Sequence, residues 1–503
     1  MNKLFEKIHT LFSFRRCKPV VKEATPLQAP SKKETHVITV GLDFGTSSVK
    51  AIWNDYSRNK HYLAAIDLPV KGYPSFCMPS SIKMAGGKIY FGADAENAKI
   101  SGQIIHSIKT FVGAALKSSG RSDDGQQTIS ADTHLCLEAG SELVIKATPR
   151  YLAILLLANV ISRIRKCIES HYGDRYELSI TFNMAAPIGD LDHPEIEHSW
   201  QRILFLAEKL SEQIQSGMPL LAALQAVHEA VETHPHLPDP AERCTFVLPE
   251  ALAAVLSYFK SGKAVNGLYG IVDIGAGTTD ISVFRYYAQS LDLRESIYAG
   301  KSYRIGMDDF DQEILKLFSE ELSQRSSQAN SDAGDLQHDI RCAKLALEST
   351  GHLEIPSIHK SKTLPQIAGA TQNLRSEIYR CYKRTLGLAY KKEARQKAWE
   401  DWTLFLIGGG SRLNMMQREF QQILEGQVKR PNIKSIALEG LVGDSGGNNL
   451  TWNEEMTALF AISYGLSFSQ MDWPEWWYPK DVAPLSLSKP SGNRPDQDEL
   501  YPK

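Results

Sequence analysis

Gly41-Leu42-Asp43-Phe44-Gly45-Thr46-Ser47-Ser48-Val49-Lys50 and Val272-Asp273-Ile274-Gly275-Ala276-Gly277-Thr278-Thr279-Asp280 are variations on one pattern: an apolar run reaches an Asp and then breaks into a turn rich in Gly and hydroxyls. The runs before each Asp, 37–40 and 268–272, read as buried strands, and 48–52 and 281–284 as the strands that leave each turn. Each unit is then a hairpin whose tip offers backbone N–H groups, hydroxyls and one carboxylate. Glycine lets the backbone approach phosphate oxygens, Ser and Thr donate to them, and Asp can hold a hydrated Mg2+. Two such tips facing each other would clamp a polyphosphate. Either hairpin taken alone is also an ordinary tight turn. A third segment adds weight. The strand-like run 402–407 ends in Gly408-Gly409-Gly410-Ser411-Arg412, and helically spaced Leu413, Met416 and Phe420 follow. A Gly-rich turn between strand and helix suits a nucleotide lying against backbone.

The 503 residues are 43% hydrophobic and 23% charged, the balance of a soluble globular protein with room for two or more cores. A net charge of −2 supplies no global basic field, so no nucleic acid partner is expected. The seven cysteines are odd in number and lack CxxC spacing, which suits a reducing compartment and supports neither a zinc site nor a disulfide framework. No secretory signal is read at the N-terminus. The longest apolar stretch, 151–161, is too short to span a bilayer, and a buried helix beside a sheet is expected there. Within the first 35 residues, Leu4, Phe5, Ile8, Leu11 and Phe12 share one helical face beside Lys3, Lys7, Arg15 and Arg16, with a linker to Glu34. Such a basic amphipathic segment, 1–16, could make a peripheral membrane contact, dock in a partner's groove, fold back on the protein or be a frayed terminus.

The order and spacing of these motifs resemble the actin, sugar-kinase and DnaK-chaperone ATPase superfamily, and within it the DnaK-type heat-shock chaperones. The resemblance is carried also by Pro79-Ser80, Phe91-Gly92-Ala93-Asp94-Ala95, Lys109-Thr110-Phe111-Val112-Gly113, Ala186-Pro187, Pro249-Glu250-Ala251-Leu252-Ala253-Ala254, Gly306-Met307-Asp308-Asp309-Phe310-Asp311 and Ala343-Lys344-Leu345-Ala346-Leu347, in the family's order over about 36–468. It implies Mg2+ and ATP or ADP as ligands. Asp43 and Asp273 would hold the metal through its waters, Thr46 and Ser47 in the Gly45 turn would meet the β-phosphate, and Thr278 and Thr279 would sit near the γ-phosphate beside Gly275, Ala276 and Gly277. Glu250 and Asp280 would complete a carboxylate shell, and Lys109 matches the catalytic lysine, where an ammonium offsets developing negative charge. Read without the family, Lys109 is a surface lysine. Gly408 and Gly409 fit the base-and-ribose loop, Arg412 an adenine-stacking arginine and Lys344 a ribose contact, and the resemblance places Gly306 among the nucleotide-binding residues. Pro187 fits a proline that relays nucleotide state, or simply ends a strand.

Several positions depart from the family. Leu345 stands where a second stacking arginine is usual and Glu348 where a small hydroxyl is usual, which weakens the adenine end. Ala276 replaces a Gly, as in the cell-division and pilus-assembly relatives of actin. The interval from Pro187 to Glu250 is roughly twice the family's, and Leu220, Leu221, Leu224, Val227, His228 and Val231 recur there at helical spacing, so an inserted helix is expected within about 211–240. His228, His234 and His236 lack the partner spacing of a metal site. Few residues follow Ser469, fewer than the family's peptide-binding domain needs. The cluster Trp473-Pro474-Glu475-Trp476-Trp477-Tyr478-Pro479 either caps the fold or binds a partner.

The expected architecture is α/β: a two-lobed actin-like ATPase fold, with duplicated ribonuclease H-like lobes on mixed five-stranded sheets around a central nucleotide cleft. The expected divisions are 1–35, an N-terminal basic segment and linker; 36–248, lobe I; 249–470, lobe II; and 471–503, an aromatic and Pro-rich tail. The expected function is a slow, cytoplasmic Mg-ATP hydrolysing switch or specialised chaperone that lacks the standard substrate-binding domain and acts on a protein partner, with J-domain or nucleotide-exchange helpers as further candidates. An actin-like filament-forming or membrane-associated scaffold is the alternative, and a small-molecule kinase of the same superfamily is a third.

Overall fold

The computed structural model describes residues 34–70, 73, 76–98, 101–118, 135–138, 144–260, 262–287, 295–319, 339–340, 343–344, 347, 350–355, 359–425, 431–434, 441–444 and 454–484. The N-terminal basic segment, Leu345, Glu348 and the end of the tail lie outside them.

The two quoted motifs are the tips of two hairpins of identical plan. Strand Glu34–Phe44 is buried from Ile38 onward and pairs antiparallel with Ser48–Asp55; Gly267–Ile274 pairs in the same way with Thr279–Tyr286. Each lies at the centre of a large mixed sheet, so its strands are covered on both faces and read as continuous apolar runs. In the first sheet Lys60–Leu63 follows on one side of the hairpin, and the mutually parallel strands Tyr176–Ala186 and Thr245–Pro249 lie on the other. In the second sheet Glu295–Tyr303 takes the first place, and the mutually parallel Thr403–Ile407 and Asn432–Lys434 take the others. The strand order, taken in chain order, is the same in both.

The sheets are larger than the expected five strands. Met78–Pro79 and Leu441–Asp444 bring the first to seven, and Trp476–Trp477 brings the second to six. An edge strand leaves a row of unpaired N–H and C=O groups, and in both sheets a late piece of chain covers it. Leu441–Asp444, expected with 249–470, therefore pairs on the first sheet. The Trp cluster packs on its own fold: Trp476 pairs with Glu295, and its ring meets Phe284 edge-on at 5.7 Å.

The apolar stretch at 151–161 lies in helix Pro149–Tyr172, which Thr148 caps by accepting from Tyr151 N, with Pro149 in its first turn. The helix is buried along most of its length against the first sheet. The inserted helix is Leu220–Thr233, and it turns Leu220, Ala223, Val227 and Ala230 into that same core, while Leu221 is exposed. His228 Nδ1 lies 3.5 Å from Tyr151 Oη.

A third apolar cluster joins the two sheets. Helices Glu250–Lys260 and Glu454–Leu466 meet in it, along with Tyr269, Ile271, Phe284 and Phe405 from the second sheet and Ala185 and Leu248 from the first. Small residues set the spacing. A Cβ on Gly465 would stand 1.7 Å from Ala253 O, and one on Gly41 2.0 Å from Ser463 O, so the last helix rests directly on backbone. Its end is pinned by buried side chains: Asn183 Nδ2 donates to Leu466 O and Phe468 O, and His61 Nδ1 lies 2.9 Å from Ser467 Oγ. Among the described residues no helix is long and apolar enough to cross a membrane.

Burial drives the His61 imidazole down to about 4 from its ordinary 6.5. A histidine depressed in the folded state contributes stability that is complete above the unfolded value and is lost as pH falls through the folded one. Between pH 6.5 and 4 this site should therefore remove on the order of 3 kcal/mol. Urea unfolding of wild type and His61→Asn at pH 7 and pH 4.5 checks this: the stability gap between them should close at the lower pH, and a constant gap contradicts the assignment.

Candidate functional site

Chain geometry at the two tips is nearly superimposable in its hydrogen bonding. Gly45 N donates to Ser48 O at 3.1 Å, and Gly275 N donates to Thr278 O at 2.9 Å. The tips face each other, since a Cβ on Gly277 would stand 2.9 Å from Thr46 Cγ2 and 3.3 Å from Thr110 Oγ1. Thr46 and Thr110 hydroxyls are themselves 3.5 Å apart. Glycine at 277 is thus what lets the second turn touch the first. Behind the first turn, Ser80 Oγ donates to Gly45 O at 2.7 Å; behind the second, Met307 N and Asp308 N donate to Gly275 O and Ala276 O. Gly306 lies so close to Ala276 that a Cβ would meet its carbonyl oxygen at 2.3 Å, and its N–H donates to Asp309, which opens helix Met307–Lys316.

A cleft runs between the tips, with about 1100 Å³ of empty space including its open mouth. One end is lined by Asp43, Gly45, Thr46 and Ser47 from the first hairpin and by Asp273, Gly275, Ala276, Thr278 and Asp280 from the second. Lys109 enters from helix Ile108–Ser118 and Glu250 from the first residue of helix Glu250–Lys260. Gly408, Gly409, Arg412 and Lys344 line the remainder, together with Met307, Leu459 and Ile462. Thr279 stands behind its turn, fully buried, and its hydroxyl donates to Ile305 O at 2.7 Å. Lys344 is held by both oxygens of buried Asp311 at 2.7 and 2.8 Å.

Strand register makes the two hairpins electrostatically unlike. Asp43 stands opposite Lys50, and the two form an ion pair of 2.5 Å. At the equivalent place Asp273 stands opposite Asp280. Like charges directly across a ladder are destabilising; Lys109, hydrogen bonds from Ser302 and from Thr278 at 3.0 Å, and Lys117 relieve Asp280, and Lys50 relieves Asp273. Burial, joined by repulsion from Glu250, Asp280 and Asp43, holds the Asp273 carboxyl well above the usual carboxylate range. Asp280 is also raised by burial, against the pull of Lys109. Burial pushes Glu250 up to about 7, against Lys109 and with Asp280 and Asp43. Lys109 donates to both Glu250 oxygens, at 2.9 and 2.8 Å. Desolvation pulls its ammonium down, and attraction to Glu250, Asp43 and Asp280 outweighs this and leaves it above its ordinary value.

Carboxyl groups outnumber ammonium groups where the two tips meet, and oxygen donors dominate there, the chemistry a hard divalent cation selects. Among the described residues no group of three or more His, Cys, Asp or Glu side chains converges closely enough to ligate a metal directly. The donor set fits a cation that keeps its waters. The motif residues were readable in the sequence. Lys50 was visible as the end of the first motif, although nothing local marked its pairing, and Leu459 and Ile462 carried no signal beyond an apolar helix.

A search of curated proteins finds distant similarity to HscA chaperones. The chaperone protein HscA homologue of Polynucleobacter asymbioticus is 25% identical over 251 residues, which covers 48% of this chain and 35% of the relative. HscA of Pectobacterium atrosepticum is 29% identical over 180 residues, covering 34% and 27%, and the homologue of Ralstonia nicotianae 27% over 184, covering 35% and 28%. The chain spans about a third of the length of the curated relatives it matches. No protein-family profile matches it. The similarity supports the DnaK-type ATPase resemblance, and the mixed α/β sheets are consistent with an actin-like ATPase fold.

Gly408 offers a check on the site's construction. Its φ is +80°, and a Cβ there would stand 2.1 Å from Asp273 Oδ1 and 2.6 Å from Ile274 O. Gly408→Ala should cost about 2 to 4 kcal/mol in denaturant unfolding, from left-handed strain and overpacking together. Gly409, with nothing within 4 Å of such a Cβ, should tolerate Ala at a cost within about 1 kcal/mol. Equal losses at the two positions would contradict the packing.

Proposed function

We propose that this chain is a DnaK-like switch or specialised chaperone that binds Mg-ATP, hydrolyses it slowly and acts on a protein partner. The reading rests on one observation above all: the duplicated turns touch at Gly277 and Thr46, so that four carboxylates and Lys109 surround one cleft. The distant similarity to HscA chaperones supports it.

In this reading the first-sheet portion, about 36–248, and the second-sheet portion, about 249–470, act as two lobes that close over the nucleotide, and Leu441–Asp444 straps the second portion to the first. Asp43 and Asp273 hold the hydrated magnesium, which when bound neutralises polyphosphate charge. The N–H groups and hydroxyls of Gly45, Thr46 and Ser47 grip the β-phosphate, and Thr278 with the Gly275, Ala276 and Gly277 backbone faces the γ-phosphate. Thr279 keeps that second turn in place through Ile305. Glu250 and Asp280 orient water. Lys109, held by Glu250, offsets the negative charge that develops on hydrolysis. Gly408 and Gly409 give flat backbone for the nucleoside, with Arg412 and Lys344 as side-chain contacts. The cytoplasm is the compartment that suits free Cys77, Cys167, Cys244 and Cys381. A client protein, and J-domain or exchange helpers, are the partners such a switch would need.

Lys109→Ala tests the reading. Removing one preorganised charge typically costs about 100-fold in rate, so single-turnover ATP hydrolysis should fall by that order while calorimetry still detects nucleotide binding. Unchanged turnover would show that the lysine has another role, and absence of adenine nucleotide binding by the wild type would end the proposal.

A further inference from the structure

Helix Ile108–Ser118 carries Lys109 at its start and Lys117 at its end. Lys117 Nζ lies 2.8 Å from Asp190 Oδ1. Asp190 is 1% exposed, and its other carboxylate oxygen accepts from the buried Trp200 indole N–H at 3.1 Å. The middle of the helix also rests against it, since a Cβ on Gly113 would stand 4.0 Å from Asp190 Oδ2. Asp190 belongs to the short helix Ile188–Leu191 that follows Pro187. That helix touches the second sheet on its other side: a Cβ on Gly300 would meet Ile188 Cγ2 at 2.4 Å, and one on Gly189 would lie 3.5 Å from Gly300 O. Gly300 is in strand Glu295–Tyr303, the neighbour of the strand that presents Asp280.

We propose that Asp190 is a positioning residue: by clamping Lys117 it fixes the helix that delivers Lys109, and through Ile188 it ties that helix to the second sheet. The reason is mechanical and electrostatic together. The only charged group on the far half of the helix that reaches Asp190 is Lys117, an ion pair anchored on a carboxylate that is itself held by Trp200 and packed in a core. Lys117 is 44% exposed at its side chain, so its substitution leaves little packing to lose, while breaking the pair leaves the buried Asp190 charge without its cation. A helix loosened at its last turn moves its first turn as well, and displacements of about 1 Å at a reacting group cost up to about 100-fold in rate.

This proposal rests on the assignment of Lys109 above, and two readouts separate the failures. The first is hydrogen exchange in the nucleotide-free full chain. Lys117→Gln and Asp190→Asn should each raise exchange of amides in 110–118 by about tenfold, with Lys117→Arg near wild type and helix Pro194–Leu210 unchanged in Lys117→Gln. Unchanged exchange in both variants overturns the clamp whether or not the protein hydrolyses ATP. The second is kinetic. Lys117→Gln should lower single-turnover hydrolysis about tenfold with nucleotide Kd within about twofold, and should add nothing in a Lys109→Ala background. An additive loss in that background, or a loss confined to Kd, overturns action through Lys109. If the wild type hydrolyses no ATP, the functional reading fails, and the exchange result alone decides the clamp.

Discussion

Two carboxylates directly opposite each other on neighbouring antiparallel strands, with a third and a fourth close by, are a configuration that water-free protein does not favour. Asp273 and Asp280 occupy it because both belong to a hairpin whose backbone plan leaves no other place for them. The first hairpin, with the same plan, carries Lys50 where the second carries Asp280. One half of the cleft is thus internally neutralised, and in the other burial pushes both carboxyls up, with Lys50 pulling Asp273 and Lys109 pulling Asp280 the other way. Unpaired buried charge is costly to stability, and such cost concentrated in a cleft is the signature of a site built to receive a counter-charge.

The rest of the molecule serves to keep those tips in contact. Each hairpin is buried at the centre of its sheet, and the late strands Leu441–Asp444 and Trp476–Trp477 cover edges that would otherwise be exposed. Between the sheets, helix Glu454–Leu466 packs backbone on backbone against helix Glu250–Lys260 at Gly465 and against strand Glu34–Phe44 at Gly41. Glu250 opens the first of these helices, so the group that grips Lys109 sits on the element through which the sheets meet. Packed interiors transmit small shifts rather than absorbing them, which gives a physical route from the relative placement of the sheets to the chemistry in the cleft.

Much of this was legible along the chain. The Asp-bearing strands, the Gly-rich turns, the buried helix at 151–161, the inserted helix and the strand-to-helix turn at 408–412 follow from apolar periodicity and turn chemistry, and the structure forms all of them. The Trp473–Tyr478 cluster was ambiguous because aromatic composition is the same in an interface and in a core. Its pairing with Glu295 and Ser296 is a property of a strand nearly two hundred positions earlier. The extra strand at 441–444 was invisible for a related reason: an edge strand paired on one side carries a weak pattern, and its partner at 60–63 is remote.

The sequence by itself determined that two glycine- and threonine-rich turns exist, each behind an Asp, and that the fold would be α/β, because those facts depend on local sterics and on the period of apolar residues. Only the tertiary structure decided that Gly277 rests on Thr46, that Asp273 faces Asp280 while Asp43 faces Lys50, that Thr279 turns away from the cleft to Ile305, and that Asp190 lies under the helix of Lys109. Those are contacts between segments far apart in the chain. No local preference encodes them, and they appear only when burial and strand register bring the two halves together.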